Sequence, residues 1–275
     1  MGAPAIRDRR RPGFLPSVLA TLVAGIFLVP LLLVFLGSLR PLGTPPPPTI
    51  DLLPEGTSLS NYGELLRQPS IRREILNSLL VAAISVPAGT LVASWAGFAI
   101  ARLPRRTALL LVGIAVVAAT IPASALFVGR LVLFRLGGLT DTPAPLIVPA
   151  LIGVSPLLVL LFAWSYFTIP RDIYDLAKEA GLGPFRTWLR VAVPLRIGTA
   201  GVAAAVAFMI TWGNVYDPLL FVYDERWFTL PLGLVTLAEL PPTDQGLMLA
   251  AAVLMSVPVL VTAFLVQRFV SQRRW

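Results

Sequence analysis

Six long apolar runs dominate this chain: Phe14–Gly37, Ile75–Ala101, Ala108–Leu133, Ala144–Phe167, Thr199–Tyr223 and Gly246–Arg268. Each is long enough for a membrane crossing, which takes roughly 20 residues of helix. Hydrocarbon offers no water to satisfy backbone N–H and C=O groups, so such runs fold as helices. Composition agrees: 56% of residues are hydrophobic and 13% are charged, against about 25% charged in a soluble domain. The expected fold class is therefore all-α: a polytopic membrane protein with six transmembrane helices. Its core is lipid and neighbouring helices instead of a water-shielded interior. Pro30, Pro87, Pro122, Pro149, Pro156, Pro218 and Pro258 fall inside the runs, where neighbouring helices or water can satisfy the backbone groups they free.

Much chemistry is excluded by residue type. The chain has no cysteine and no histidine, which removes disulfides, Cys/His zinc sites, cysteine nucleophiles and histidine acid–base catalysis. No metal site and no catalytic residue is expected. Lys178 is the only lysine and is followed by Glu179, whereas a P-loop needs Lys followed by Ser or Thr. Any ATP used alongside this chain must be hydrolysed by another subunit.

The net charge of +8 reads as a topology signal and not as a nucleic-acid footprint. With the N-terminus in the cytoplasm, fifteen basic residues fall inside and seven outside, the latter being Arg40, Arg67, Arg72, Arg73, Arg130, Arg135 and Arg226. The positive-inside rule favours that orientation. The opening "RDRRRPG" and its apolar run resemble the start of a signal peptide. The run is longer than a 7–15-residue signal core, however, and lacks a small-residue cleavage site before "GSLRPLG", so an uncleaved first span is expected. The expected organisation is a cytoplasmic N-terminus (1–13), a first transmembrane helix (14–37) and an external loop (38–74). A five-helix core (75–268) with a cytoplasmic loop (171–196) follows, then a cytoplasmic C-terminus (269–275). Within 38–74, "RPLGTPPPPTIDLLPEG" reads as an extended, proline-rich segment. A short external helix with Ser60 as its N-cap follows it.

The stretch "DIYDLAKEAGLGPFRTWLRVAVP", residues 172–194, is far more than a reconnecting loop needs. Asp172 is placed to cap a short helix, with Asp175 three residues on as an acidic capping-box partner. Ile173, Leu176, Ala177 and Ala180 form one apolar stripe. Gly181 is placed as the helix stop and Gly183-Pro184 as a turn. Phe185, Trp188, Leu189 and Ala192 make a second stripe. Helices this short have no core of their own, so their apolar faces must dock on the membrane surface, the span bundle or another protein. A DNA-binding helix-turn-helix fits poorly in a unit tethered at both ends beneath a bilayer.

This stretch resembles the cytoplasmic loop of binding-protein-dependent ABC importer permeases, whose pattern is E-A-A-x(3)-G with a proline thirteen residues beyond the glycine. Asp175-Leu176-Ala177 takes the E-A-A place, Gly181 the glycine and Pro194 the proline. Asp replaces Glu, and Leu replaces the first Ala. The resemblance covers nearly the whole chain and is to the sugar-importer branch, the maltose- and glycerol-phosphate-type inner membrane permeases. "NYGELL", "NSLLVAAIS", "GFAIARLPRR", "TWGNVYDPLLF" and "FTLPLGL" carry it. The family often adds a Gly/Lys-containing tail, in place of which this sequence reads "QRFVSQRRW".

The resemblance implies a transport subunit in the bacterial inner membrane, not an enzyme, with both termini cytoplasmic. It pairs with a sister permease as a heterodimer. Two ATPase subunits below hold ATP and Mg, so this chain needs no cofactor of its own, and an external binding protein delivers a sugar or sugar derivative. Asp175, Leu176, Ala177 and Gly181, with Pro194 closing the loop, would couple the spans to the ATPase. Thr211, Trp212 and Asn214 are candidates for the solute path, although interhelical packing explains such residues equally well. Two rival classes fare worse. An intramembrane aspartyl protease needs paired membrane carboxylates, and the chain has Tyr216-Asp217 and Tyr223-Asp224 but no G-x-G-D. A secondary transporter would show an internal repeat and buried ionisable residues, and the two halves do not match.

Overall fold

The computed structural model describes residues 14–45, 56–152, 155–238, 241 and 244–272, all helical or irregular with no β-strand among them. The proline-rich segment of the expected external loop lies largely outside the described residues. The helices in chain order are α1 (Phe14–Ser38), α2 (Ser60–Arg67), α3 (Pro69–Arg102), α4 (Arg105–Thr120) and α5 (Phe127–Leu136). Next come α6 (Ala144–Leu151), α7 (Pro156–Phe167), α8 (Arg171–Glu179), α9 (Pro184–Thr187) and α10 (Val193–Leu195). The last are α11 (Ile197–Trp212), α12 (Tyr216–Phe221), α13 (Leu230–Leu237) and α14 (Gln245–Gln272).

Proline sets many of these boundaries, because the residue before it is driven out of the helical region. Leu103 (ψ 159°) before Pro104 ends α3, and Ile121 (ψ 120°) before Pro122 ends α4. Pro69 does the opposite: at the first position of α3 its missing N–H costs nothing. The expected short external helix thus stands immediately before the 34-residue α3. Its cap is not Ser60, which is already helical; the Ser58 hydroxyl accepts from the Ser60 N–H at 3.1 Å.

Three helical stretches are long and apolar enough to cross a membrane: Pro69–Arg102, Ala144–Phe167 and Gln245–Arg268. Two bent pairs raise the number to five among the described residues. The first pair falls in the expected span Ala108–Leu133: α4 and the Ala123–Leu136 segment meet at 90°, because Pro122 sits between them. The expected span Thr199–Tyr223 is also broken. Its helix α11 stops at Trp212, and α12 begins only after Gly213–Val215. Upstream, residues Pro184–Leu195 and Ile197–Trp212 are bent by 87°. That bend falls at Arg196 (φ −121°), two residues beyond Pro194. Pro194 itself lies in continuing helix, preceded by a π-helical turn at Trp188–Ala192. A wider turn is one way a helix accommodates a proline.

Backbone contacts divide the chain into two compact units, residues 1–65 with 240–253, and residues 66–239 with 254–275. In the first, Asn61 of the "NYGELL" motif donates to the Ser38 and Arg40 carbonyls at 2.9 and 2.7 Å, fastening α2 to the end of α1. In the second, α3 is the central helix and packs against α4, α6, α7, α11 and α13. One close approach is at Gly97, where a Cβ would stand 2.6 Å from Phe162 Cβ and 2.7 Å from the Ala163 nitrogen. Small residues allow such contact between membrane helices. The start of α3 also explains two further motifs. Asn77 donates to the Arg226 and Phe228 carbonyls, and Ser78 Oγ accepts from Leu230 N–H at 2.8 Å. Gly233 of "FTLPLGL" leaves the space that the Glu74 carboxylate fills.

Candidate coupling loop and solute cavity

The α8 helix ends on a complete Schellman motif. Leu182 N–H bonds the Ala177 carbonyl, and Gly181 N–H bonds the Lys178 carbonyl, both at 3.0 Å. Gly181 is left-handed, at φ 73°, where a side chain strains the backbone. The N-terminus differs from expectation. Pro170 is the boundary residue with no side-chain cap, and Asp172 lies inside the first turn.

The expected apolar stripe splits between two faces. Tyr174 and Ala177 are buried within this chain, whereas Leu176 is 64% exposed and Asp175 and Ala180 are also exposed. A 3.6-residue repeat puts positions 174 and 177 on one side and 175, 176 and 179 on the other. Ala177 is therefore an inward packing residue, not part of a free docking surface. In the following segment Trp188 and Ala192 are buried, with Phe185 and Leu189 exposed.

The inward residues fasten the loop to two spans. Trp188 Nε1 donates to Ser94 Oγ at 3.0 Å, and Ser94 Oγ shares a 2.7 Å hydrogen bond with the Tyr166 hydroxyl. Around this polar chain the rings of Phe98, Tyr166 and Tyr174 pack edge to face, and Trp95 meets both Phe185 and Trp188. The Arg102 guanidinium lies 4.7 Å above the Tyr174 ring. Burial pushes the Tyr174 hydroxyl up to about 12, so it stays a neutral donor, reaching the Tyr166 carbonyl at 3.4 Å. The result is one aromatic cluster joining α8 and the π-turn to α3 and α7.

The second site is a cavity of about 460 Å³ beside α3. Ser78, Ser85, Phe127, Thr211, Tyr216 and Thr229 contribute to its wall, together with Arg130, Asn214 and Asp217. The three residues expected on the solute path all line it, but their bonding differs. Trp212 is buried, and its indole N–H donates to the Met255 carbonyl at 2.9 Å, which fixes it to α14. Asn214 serves α12: its Oδ1 accepts from Asp217 N–H at 3.2 Å, and its Nδ2 donates to Asp217 Oδ2 at 2.9 Å. Thr211 is half-buried in the wall.

Sequence reasoning missed Arg130 and Asp217. The charge count places Arg130 on the outer side; it stands on α5 and forms an ion pair with Asp217 at 2.9 Å. Its signal was available: a lone arginine within "FVGRLVLF" is an ionisable residue in an apolar helix and so demands a partner. Ser94 and Tyr166 gave no comparable signal, since single hydroxyls are common in spans.

No family model matches the chain. The fold is shared with a chain of a solved transporter. A bacterial ABC transporter involved in the import of the acidic polysaccharide alginate includes a chain matched with a TM-score of 0.75 at 18% identity, over 98% of this chain and 99% of that one. Sequence relatives narrow the class. The trehalose transport system permease protein SugB of Mycobacterium tuberculosis is 27% identical over 254 residues, 92% of each chain. The lactose transport system permease protein LacG of Rhizobium radiobacter is 23% identical over 78% of each. The arabinooligosaccharides transport system permease protein AraQ of Bacillus subtilis is 25% identical over 89% of this chain and 87% of that one. These relatives are all permease proteins of sugar transport systems, the likeness that the motifs led us to expect.

Proposed function

We propose that the chain is the membrane permease subunit of an ATP-driven importer that carries a carbohydrate from an external binding protein to the cytoplasm. In this reading it crosses the inner membrane six times with both termini inside. It pairs with a sister permease and rests on two ATPase subunits, which hold ATP and Mg. The observation that carries the reading is the architecture of the 171–196 loop. Its inner face is bound to α3 and α7 by the Trp188–Ser94–Tyr166 chain. Its outer face leaves Asp175 and Leu176 exposed beside a glycine-stopped helix end. A helix so mounted can be pushed by a partner and move the spans with it, a rigid-body switch driven by contacts that differ between two states. Asp175, Leu176 and Gly181 are the partner-facing residues, while Ala177 holds the helix from beneath. Thr211 and Asn214 face the solute path, and Trp212 sets the wall behind them.

The test is reconstitution of the complete transporter with its binding protein in proteoliposomes. Uptake of a radiolabelled sugar should require ATP and should vanish in Leu176→Asp, with the ATPase subunits shed or their solute-stimulated hydrolysis lost. Sugar uptake and ATPase binding unchanged in Leu176→Asp would return the loop to a mere interfacial cover. Fusion reporters test the topology: those after Arg11, Arg105 and Arg190 should read cytoplasmic, and those after Thr57 and Asp244 external. One reversed reporter breaks the six-span arrangement.

A further inference from the structure

Among the described residues lining the cavity beside α3, only Arg130 and Asp217 carry charge. Each is consumed by the other. Arg130 Nη1 donates to Asp217 Oδ1 at 2.9 Å and Nη2 to Oδ2 at 3.1 Å, the two-pronged arrangement that suits a guanidinium and a carboxylate. Nη2 also reaches the Pro145 carbonyl at 3.3 Å, and the guanidinium lies over the Phe221 ring. Asp217 accepts in addition from Asn214 Nδ2, and its backbone N–H is taken by Asn214 Oδ1. Arg130 Nε has no hydrogen-bond partner but is itself buried, so the pair presents no net charge to a solute.

What remains is neutral. Thr229 Oγ1 is buried without a hydrogen-bond partner. The hydroxyls of Thr211 and Tyr216 and the ring of Phe127 complete the polar and aromatic wall. Neutral donors and acceptors beside aromatic faces match an uncharged, polyhydroxylated ring. An acidic solute would have to draw Arg130 away from Asp217, leaving a carboxylate uncompensated in a low-dielectric wall.

We infer that the Arg130–Asp217 pair sets charge selectivity in this cavity: by cancelling itself it confines the solute to uncharged sugars, and the net charge of the wall is what matters. The inference rests on the carbohydrate-importer reading and adds the solute class to it.

The experiment uses the complete transporter with its binding protein in proteoliposomes. Its solutes are a panel of neutral oligosaccharides and a matched panel of uronic-acid oligosaccharides. The wild type should import members of the neutral panel only. Arg130→Gln and Asp217→Asn should each lower uptake per assembled complex about tenfold, since each leaves one net charge in the wall. The double variant Arg130→Gln/Asp217→Asn restores neutrality and should return to within about threefold of wild type, a coupling that only interacting sites show. A double variant as poor as the singles would make the pair a structural clamp and overturn the inference. So would single variants that transport normally. Wild-type preference for the uronic acids overturns it as well, while leaving the carbohydrate importer intact. Uptake of no sugar from either panel defeats the importer reading itself.

Discussion

The 171–196 loop and the cavity wall belong to the same compact unit but are held by different chemistries. At the loop, rings and two hydroxyls bind α8 and the π-turn to α3 and α7 over a broad, mostly apolar contact. At the cavity, α5 and α12 are joined by an ion pair and by the ring contacts Phe127–Tyr216 and Phe134–Phe221, and both helices adjoin breaks in the chain. Broad apolar contacts are non-directional and many, so they move as a body. An ion pair is directional, so between short helices it can part and re-form. In the proposed transporter the loop would transmit displacement, and the wall is where displacement would change what a solute meets.

The largest expected effect is at the loop. Trp188→Ala removes a buried ring and the hydrogen bond to Ser94, a loss of about 3–5 kcal/mol for a core aromatic. Solute-stimulated uptake should collapse in the reconstituted transporter while basal ATP hydrolysis by bound ATPase persists. Normal coupling in this variant would show that the aromatic cluster is not the transmission. Next comes Gly97→Ala, whose Cβ would meet Phe162 and the Ala163 backbone. Overpacking of this kind costs about 1–3 kcal/mol, so the thermal midpoint in detergent should fall and α3 should no longer follow α7. A midpoint equal to wild type would mean the α3–α7 contact is loose.

At the wall, Asn214→Leu removes both bonds to Asp217 and should cost about 1 kcal/mol of local stability, as for a lost helix cap. It should raise the apparent KM for solute and leave ATPase coupling in place, the reverse of Trp188→Ala. Unchanged KM would return Asn214 to a packing role alone. The smallest effect sharpens the loop side. Nothing lies within 4 Å of a Cβ built on Gly181, so Gly181→Ala should cost only the roughly 1 kcal/mol of a left-handed backbone, and Gly181→Asn less still. If Gly181→Trp abolishes coupling where Gly181→Asn does not, the space beside it is filled by a partner. Equal activity of all three would argue that nothing docks there.

The legibility of these regions differed for a physical reason. The Gly181 stop was readable because a glycine after an apolar stripe, before Gly-Pro, has few other uses. The inward turn of Ala177 was not, since helical periodicity says which residues share a face and not which of two apolar surroundings that face meets. Trp212 and Asn214 drew attention as polar or aromatic residues in an apolar run, yet the Trp212 bond to Met255 depends on a helix far along the chain, and the Asn214 bonds to Asp217 depend on a local break in the helix. The Arg130 partner was not readable from the charge count, which assigns residues to sides without asking whether each one finds a partner within the bundle.

The sequence by itself determined the all-helical, membrane-type composition, the absence of thiol, imidazole and P-loop chemistry, the polar loop with its glycine stop, and the family likeness. Those properties rest on residue type and short-range spacing, which one chain displays directly. Tertiary structure alone decided the aromatic cluster that binds loop to spans and the pairing of Arg130 with Asp217. Each of those is a choice of partner among residues tens of positions apart. Only packing makes that choice, because hydrogen bonds and ring contacts are satisfied by whatever the fold brings within reach.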